Sequence, residues 1–163
     1  MRKKQKFVNT RKNISLQELD VTSLDDEKSD LTIRSQVNFS YFEHTQTAGQ
    51  NFSDLSKAEL DKLLNALHEF SRKSLDYWEN QGTRFVIYDK FPLVTEFKHP
   101  KHVPHQACWG RFRLGSKFRL VGFRVPASLH GIPHDKTKEL YDKNTFYIVF
   151  IDKYHLFWKT KKR

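Results

Sequence analysis

Between Trp109 and Val125 the chain alternates cation and hydrophobe on both sides of a short polar turn. Arg111-Phe112-Arg113-Leu114 and Lys117-Phe118-Arg119-Leu120 each carry the period-two pattern of a half-buried strand. The connection decides how the two strands face each other. With Gly115-Ser116-Lys117 as a three-residue turn, Leu114 meets Phe118 and Phe112 meets Leu120. Arg111, Arg113 and Arg119 then share the opposite face. A two-residue turn would pair Leu114 with Lys117 and mix the faces, so the longer turn is predicted.

Charge follows the same segment. Residues 111–163 hold 13 Lys+Arg against 4 Asp+Glu, whereas the first 110 residues hold 16 against 15. Nearly all of the net charge of +10 therefore sits in the last third. Planar guanidinium groups on a rigid sheet are suited to phosphate, and nucleic acid is the obvious polyphosphate. An anionic membrane surface or an acidic protein is the other partner class open to such a chain. The single cysteine, Cys108, excludes an internal disulfide and suits a reducing compartment. No apolar run reaches about 18 residues, and no apolar segment follows the basic start Met1-Arg2-Lys3-Lys4. A soluble, cytoplasmic protein is expected.

Residues 1–34 read as a flexible arm, basic to Asn13 and acidic from Glu18 to Asp30, and residues 35–163 as one α+β domain. The chain's 14 Phe, 6 Tyr and 3 Trp, all but Phe7 within that domain, give it material for a core, since each buried aromatic removes about 150–250 Å² from water. Val37 to Tyr41 is the first predicted strand. Ser56 and Glu59 form a capping box, and Leu60, Leu63, Leu64, Leu67 and Phe70 follow as one apolar stripe at helical spacing. Ser71 to Trp78 predicts a second short helix ending near Gly82. Arg84 to Tyr88 is a strand; Leu93 to Phe97, after Pro92, is an edge strand or extended loop. The hairpin follows, then a polar insertion over 127–144 with helical character from Lys136 to Tyr141. Thr145 to Ile151 is almost continuously apolar and predicts a central strand covered on both faces. The expected sheet is antiparallel, of four or five strands, covered by the two helices.

This order, with Arg111-Phe112-Arg113-Leu114-Gly115, Phe118-Arg119-Leu120-Val121, Phe146-Tyr147-Ile148-Val149 and His155 downstream, resembles the RelE/ParE toxin superfamily. The likeness covers residues 36–158 in topology and about 40 residues in pattern. The chain departs from it in its length, its N-terminal arm and the 127–144 insertion. The resemblance implies an mRNA endoribonuclease, ribosome-dependent or free, held inactive by an acidic, helical or DNA-binding antitoxin protein.

Metal-free RNA cleavage needs a base for the 2′-hydroxyl, an acid for the leaving 5′-oxygen, and cations to offset phosphorane charge. Arg111, Arg113 and Arg119 are the candidates for the cations; Lys117, Arg124 and Trp158 extend the predicted nucleic-acid contact, Trp158 by stacking on a base. The alternative for the arginines is a solvated face without ligand. His155 is the candidate acid or base, because imidazole titrates near neutral pH, and Asp152 is placed to fix its tautomer. His130, His134 and Tyr141 of the insertion are further candidates. Pro133 forbids the helical spacing that would make His130 and His134 a metal pair. His99, His102, His105 and Cys108 recur every third residue, but two prolines interrupt them and no second cysteine exists, so an ordinary polar loop is expected. No cofactor is predicted, and no carboxylate pair for two-metal nuclease chemistry stands out. The competing class is a non-enzymatic binder, a phage or mobile-element protein that occupies nucleic acid or blocks a nucleic-acid enzyme.

Overall fold

A computed structural model describes Leu24 and residues 30–159. Most of the predicted flexible arm, and the basic terminus after Lys159, lie outside the described residues. The chain divides into residues 1–32 and a second unit, 33–163, which carries every strand and α-helix named below. Strand β1 spans Gln36–Asn38, helix α1 Lys57–Phe70 and helix α2 Leu75–Glu79. Strands β2 (Phe85–Asp89), β3 (Cys108–Arg113), β4 (Arg119–Arg124) and β5 (Thr145–Asp152) complete it. Among the described residues no helix is long and apolar enough to cross a membrane.

The architecture is α+β, with a five-stranded sheet in the order β1-β5-β4-β3-β2. It is mixed rather than antiparallel: β1 runs parallel to β5, with Gln36 opposite Thr145 and Asn38 opposite Tyr147. Three antiparallel steps carry the chain from β2 back to β5. The direction of β1 is set by the long helical connection to the far edge of the sheet, and a three-residue strand holds no local record of it. The hairpin register is the predicted one, with Phe112 opposite Leu120, Arg113 opposite Arg119 and Leu114 N–H donating to Phe118 O at 2.9 Å. At Gly122 the β4–β5 register shifts, and a Cβ there would stand 2.1 Å from Tyr147 O, so this close approach requires glycine.

Helix α1 starts at the capping box, where Ser56 N–H donates to Glu59 Oε2 at 2.9 Å and Glu59 N–H to Ser56 Oγ at 3.3 Å. Leu63 and Phe70 are buried against Phe85, Phe112, Leu120, Phe146 and Ile148. Each such side chain, fully buried, stabilises by roughly 1.5–3 kcal/mol. Leu64, predicted on the stripe, is instead 56% exposed; one residue beyond Leu63, it is rotated off the contact line. Helix α2 begins at the Ser74 cap rather than at Ser71, and Trp78 Nε1 donates to Phe70 O at 2.8 Å to lock the two helices together.

The other face of the sheet is also covered. Phe97, Val103 and Ala107 from the 90–107 loop and Phe157 from the C-terminal turn pack on Trp109, Val121, Phe123, Val149 and Phe150. The basic row therefore does not extend along an open sheet face; it is confined to the hairpin end. The insertion is not helical from Lys136 to Tyr141. Pro133 bridges Leu140, His134 N–H donates to Glu139 O at 2.8 Å, and Lys138 has φ 65°, which a right-handed helix does not allow.

Candidate nucleic-acid interface

Strand parity and the three-residue turn bring Arg111, Arg113 and Arg119 to one corner. Neutral oxygens hold all three. Arg119 Nη1 donates to Gly115 O (2.6 Å) and Phe118 O (2.9 Å), and Nη2 to Ser116 O (2.9 Å), so this side chain closes its own turn and is only 6% exposed. Arg113 Nε donates to Gly115 O (3.1 Å) and Nη1 to Thr83 Oγ1 (3.3 Å). Arg111 Nε donates to the Tyr88 hydroxyl (2.9 Å) and Nη1 to Thr83 O (2.9 Å). None of the three forms an ion pair among the described residues. Carbonyl dipoles orient the guanidinium groups without cancelling their charge. Burial, then the charges of Arg111 and Arg113, pull the Arg119 guanidinium below its ordinary pKa. A corner in this state favours an incoming anion.

The end of β5 supplies the fourth member. The Asp152 side chain is fully buried, and its Oδ1 accepts from Tyr154 N–H (3.3 Å) and Leu156 N–H (2.9 Å), its Oδ2 from Phe157 N–H (2.9 Å). The carboxylate thus builds the turn that carries His155, whose φ is 60°. This corrects the expected role of Asp152: it shapes the backbone and makes no hydrogen bond to the imidazole. His155 meets Arg111, Arg119, Tyr88, Asp152 and Trp158 around one closed crevice with no room for a water molecule. Burial first, then Arg119 with smaller effects from Arg111 and Arg113, lowers the His155 pKa against the opposing pull of Asp152. The surroundings thus favour the neutral imidazole, the form that can accept a proton.

Trp158 is 36% exposed and stacks on Tyr88 with ring centroids 4.3 Å apart and planes 9° from parallel. Lys117 is exposed at the turn, where it lines a cleft with Lys62 of α1 and Lys153. Lys153 is neutralised by Glu59 at 2.7 Å, and that hydrogen bond, with those from Ser56, holds the Glu59 carboxyl down at about 2. Lys62 forms no ion pair among the described residues and stays available.

Other predicted residues fall elsewhere. Arg124 lies five positions beyond Arg119, so parity turns it to the helix face, where it pairs with Asp76 (3.1 Å) and Glu79 (2.9 Å) of α2. His130, His134 and Tyr141 hang from the opposite ends of β4 and β5; the rise of β4 alone separates the two ends by roughly 17 Å. There His130 Nδ1 lies 3.7 Å from Asp142 Oδ1, and His134 Nδ1 accepts from Thr137 N–H at 3.2 Å. Neither joins the arginines. His99 stacks on His105 (4.9 Å) and edge-on against Trp109, while His102 Nε2 contacts Tyr41 O at 3.1 Å, so these rings anchor the loop to the aromatic layer. Among the described residues no three His, Cys, Asp or Glu converge as a metal site.

Tyr88, Thr83 and Lys62 complete the corner and were not singled out from sequence. Tyr88 shares a face with Arg111 only through the β2–β3 pairing, in which Val86 opposes Arg111, and no short-range signal specifies that register. The sequence matches no family model and no curated protein, and the structure matches no solved structure.

Proposed function

We propose that the chain is a RelE-like toxin, a metal-independent endoribonuclease of mRNA that holds RNA phosphate at the hairpin corner. The observation that carries this reading is the meeting of His155 with Arg111 and Arg119 around one closed crevice, with Arg113 exposed beside it. The element order, one strand, two helices and four strands, also supports it. In this mechanism neutral His155 takes the 2′-hydroxyl proton, and the 2′-oxygen attacks the adjacent phosphorus. Arg111 and Arg113 offset the charge that builds on the phosphorane. The P–O5′ bond then breaks, leaving a 2′,3′-cyclic phosphate and, once protonated, a 5′-hydroxyl. Tyr88, whose hydroxyl accepts from Arg111 Nε at 2.9 Å, is a second proton-bearing group for that last transfer.

A second reading, a binder or inhibitor that cleaves nothing, is favoured by the condition of Arg119. Its two terminal nitrogens are engaged with its own turn, its Nε is buried without a partner, and the side chain is nearly inaccessible. The two readings separate at His155. His155→Ala and His155→Gln are expected to lose RNA cleavage by about 10²–10⁴-fold while RNA affinity changes by less than about threefold. Arg113→Ala is expected to lose affinity and rate together. The pH–rate profile should bend below the ordinary imidazole value of about 6.5, because the crevice lowers the His155 pKa. Unimpaired cleavage by His155→Ala would overturn the catalytic assignment. Absence of cleavage by the parent protein, with or without ribosomes, would leave the binder.

A further inference from the structure

A groove of about 780 Å³ opens beside the arginine crevice and shares two walls with it, Tyr88 and Trp158. Pro92, Leu93 and Val94 also line it, Leu93 fully exposed at its rim and Val94 half exposed. Lys90 and Lys159 also line it, Lys159 paired with Glu96. Tyr88 joins the two sites, since its hydroxyl accepts from Arg111 while its ring stacks on Trp158.

We propose that this groove is a nucleobase subsite, taking an unpaired base of an RNA strand whose phosphate lies at Arg111 and Arg113. The inference rests on the nucleic-acid reading above and names a part of the substrate that reading leaves open. An apolar wall bearing flat aromatic rings suits a base face, and stacking on such rings tolerates any sequence. The groove begins where the arginine crevice ends, so a strand held by its phosphate brings its next base here. Lys90, which forms no ion pair among the described residues, suits an anionic strand and would lie unmatched against a purely aliphatic partner.

The test compares a short single-stranded oligoribonucleotide with an abasic strand of equal phosphate number, at low salt. Trp78 and Trp109 are buried, so a fluorescence change on binding reports Trp158. The base-bearing strand should bind about tenfold more tightly than the abasic one and quench the tryptophan signal. Trp158→Ala should shrink the difference to less than about threefold. Leu93→Ser, at a fully exposed position that folding does not depend on, should narrow it as well. Equal affinities without quenching, while salt-dependent binding persists, would overturn the subsite and leave the arginine corner standing. No binding of either strand at low salt would remove the nucleic-acid reading and the subsite with it. Dimerisation that Leu93→Ser abolishes would assign the groove to a second copy of the chain, which also overturns the proposal.

Discussion

The two ends of the β4–β5 pair carry similar residues in opposite electrical states. At the hairpin end, Arg111, Arg113 and Arg119 rest on carbonyl and hydroxyl oxygens with no ion pair among the described residues, and burial with the Arg119 charge lowers the His155 pKa. At the insertion end, Arg124 and Lys143 converge on Asp76, Arg124 also reaches Glu79, and His130 faces Asp142. The hydrogen bond from Lys143 above all, with the charges of Lys143 and Arg124, holds the Asp76 carboxyl below its usual range. A count of cations treats both ends alike. What differs is whether the charge is already matched, and only the unmatched end has a reason to seek phosphate.

The largest expected effect breaks the hairpin end through its acid. Asp152→Asn replaces a buried carboxylate that accepts three amide N–H groups by an amide whose own NH₂ must face one side of that turn. A loss of about 2–4 kcal/mol in urea unfolding is expected. The corresponding change at the insertion end, Asp142→Asn, should cost less than about 1 kcal/mol, because that side chain is partly solvated. Equal costs would remove the structural distinction between the two acids.

Arg124→Gln sharpens the comparison at intermediate size. It should cost about 1–2 kcal/mol, since the side chain is largely buried while its partners on α2 are half exposed. RNA affinity should be unchanged within about twofold. A large loss of affinity with intact stability would return Arg124 to the nucleic-acid contact.

The smallest effect is a pH dependence. His155 has a lowered pKa in the folded state, so the unfolded chain binds its proton first as pH falls. Its contribution to stability is complete above about pH 6.5 and is lost as pH drops through the folded value. His155→Gln should flatten the stability–pH curve over that interval. An unchanged curve would show that the corner does not lower the imidazole pKa.

Much of the hairpin end was legible from sequence because its signals are local. Alternation and turn length together specify the register, and with it the shared face of Arg111, Arg113 and Arg119. Arg124 was grouped with the others and assigned to the nucleic-acid contact, although an odd step along β4 reverses its face and turns it to Asp76 and Glu79. The role of Asp152 was half legible: its nearness to His155 is in the sequence, but the three amides it accepts belong to a turn that only the packed chain displays. The cover over the second face was hidden, because residues 90–107 have prolines and no period, and their aromatics read as loop. The direction of β1 and the approach of Tyr88 to Arg111 depend on pairings between distant segments, which no local pattern records.

The central claim is that usable positive charge lies at the hairpin corner and not at the insertion. The salt dependence of single-stranded RNA binding tests it most directly, measured between about 50 and 200 mM for the parent, Arg113→Gln and Arg124→Gln proteins. Loss of one phosphate contact should reduce the slope of log affinity against log salt by about 0.7. The account predicts that reduction, with weaker binding, for Arg113→Gln, and the parental slope for Arg124→Gln. A parental slope for Arg113→Gln, or the reduction appearing in Arg124→Gln instead, would contradict it.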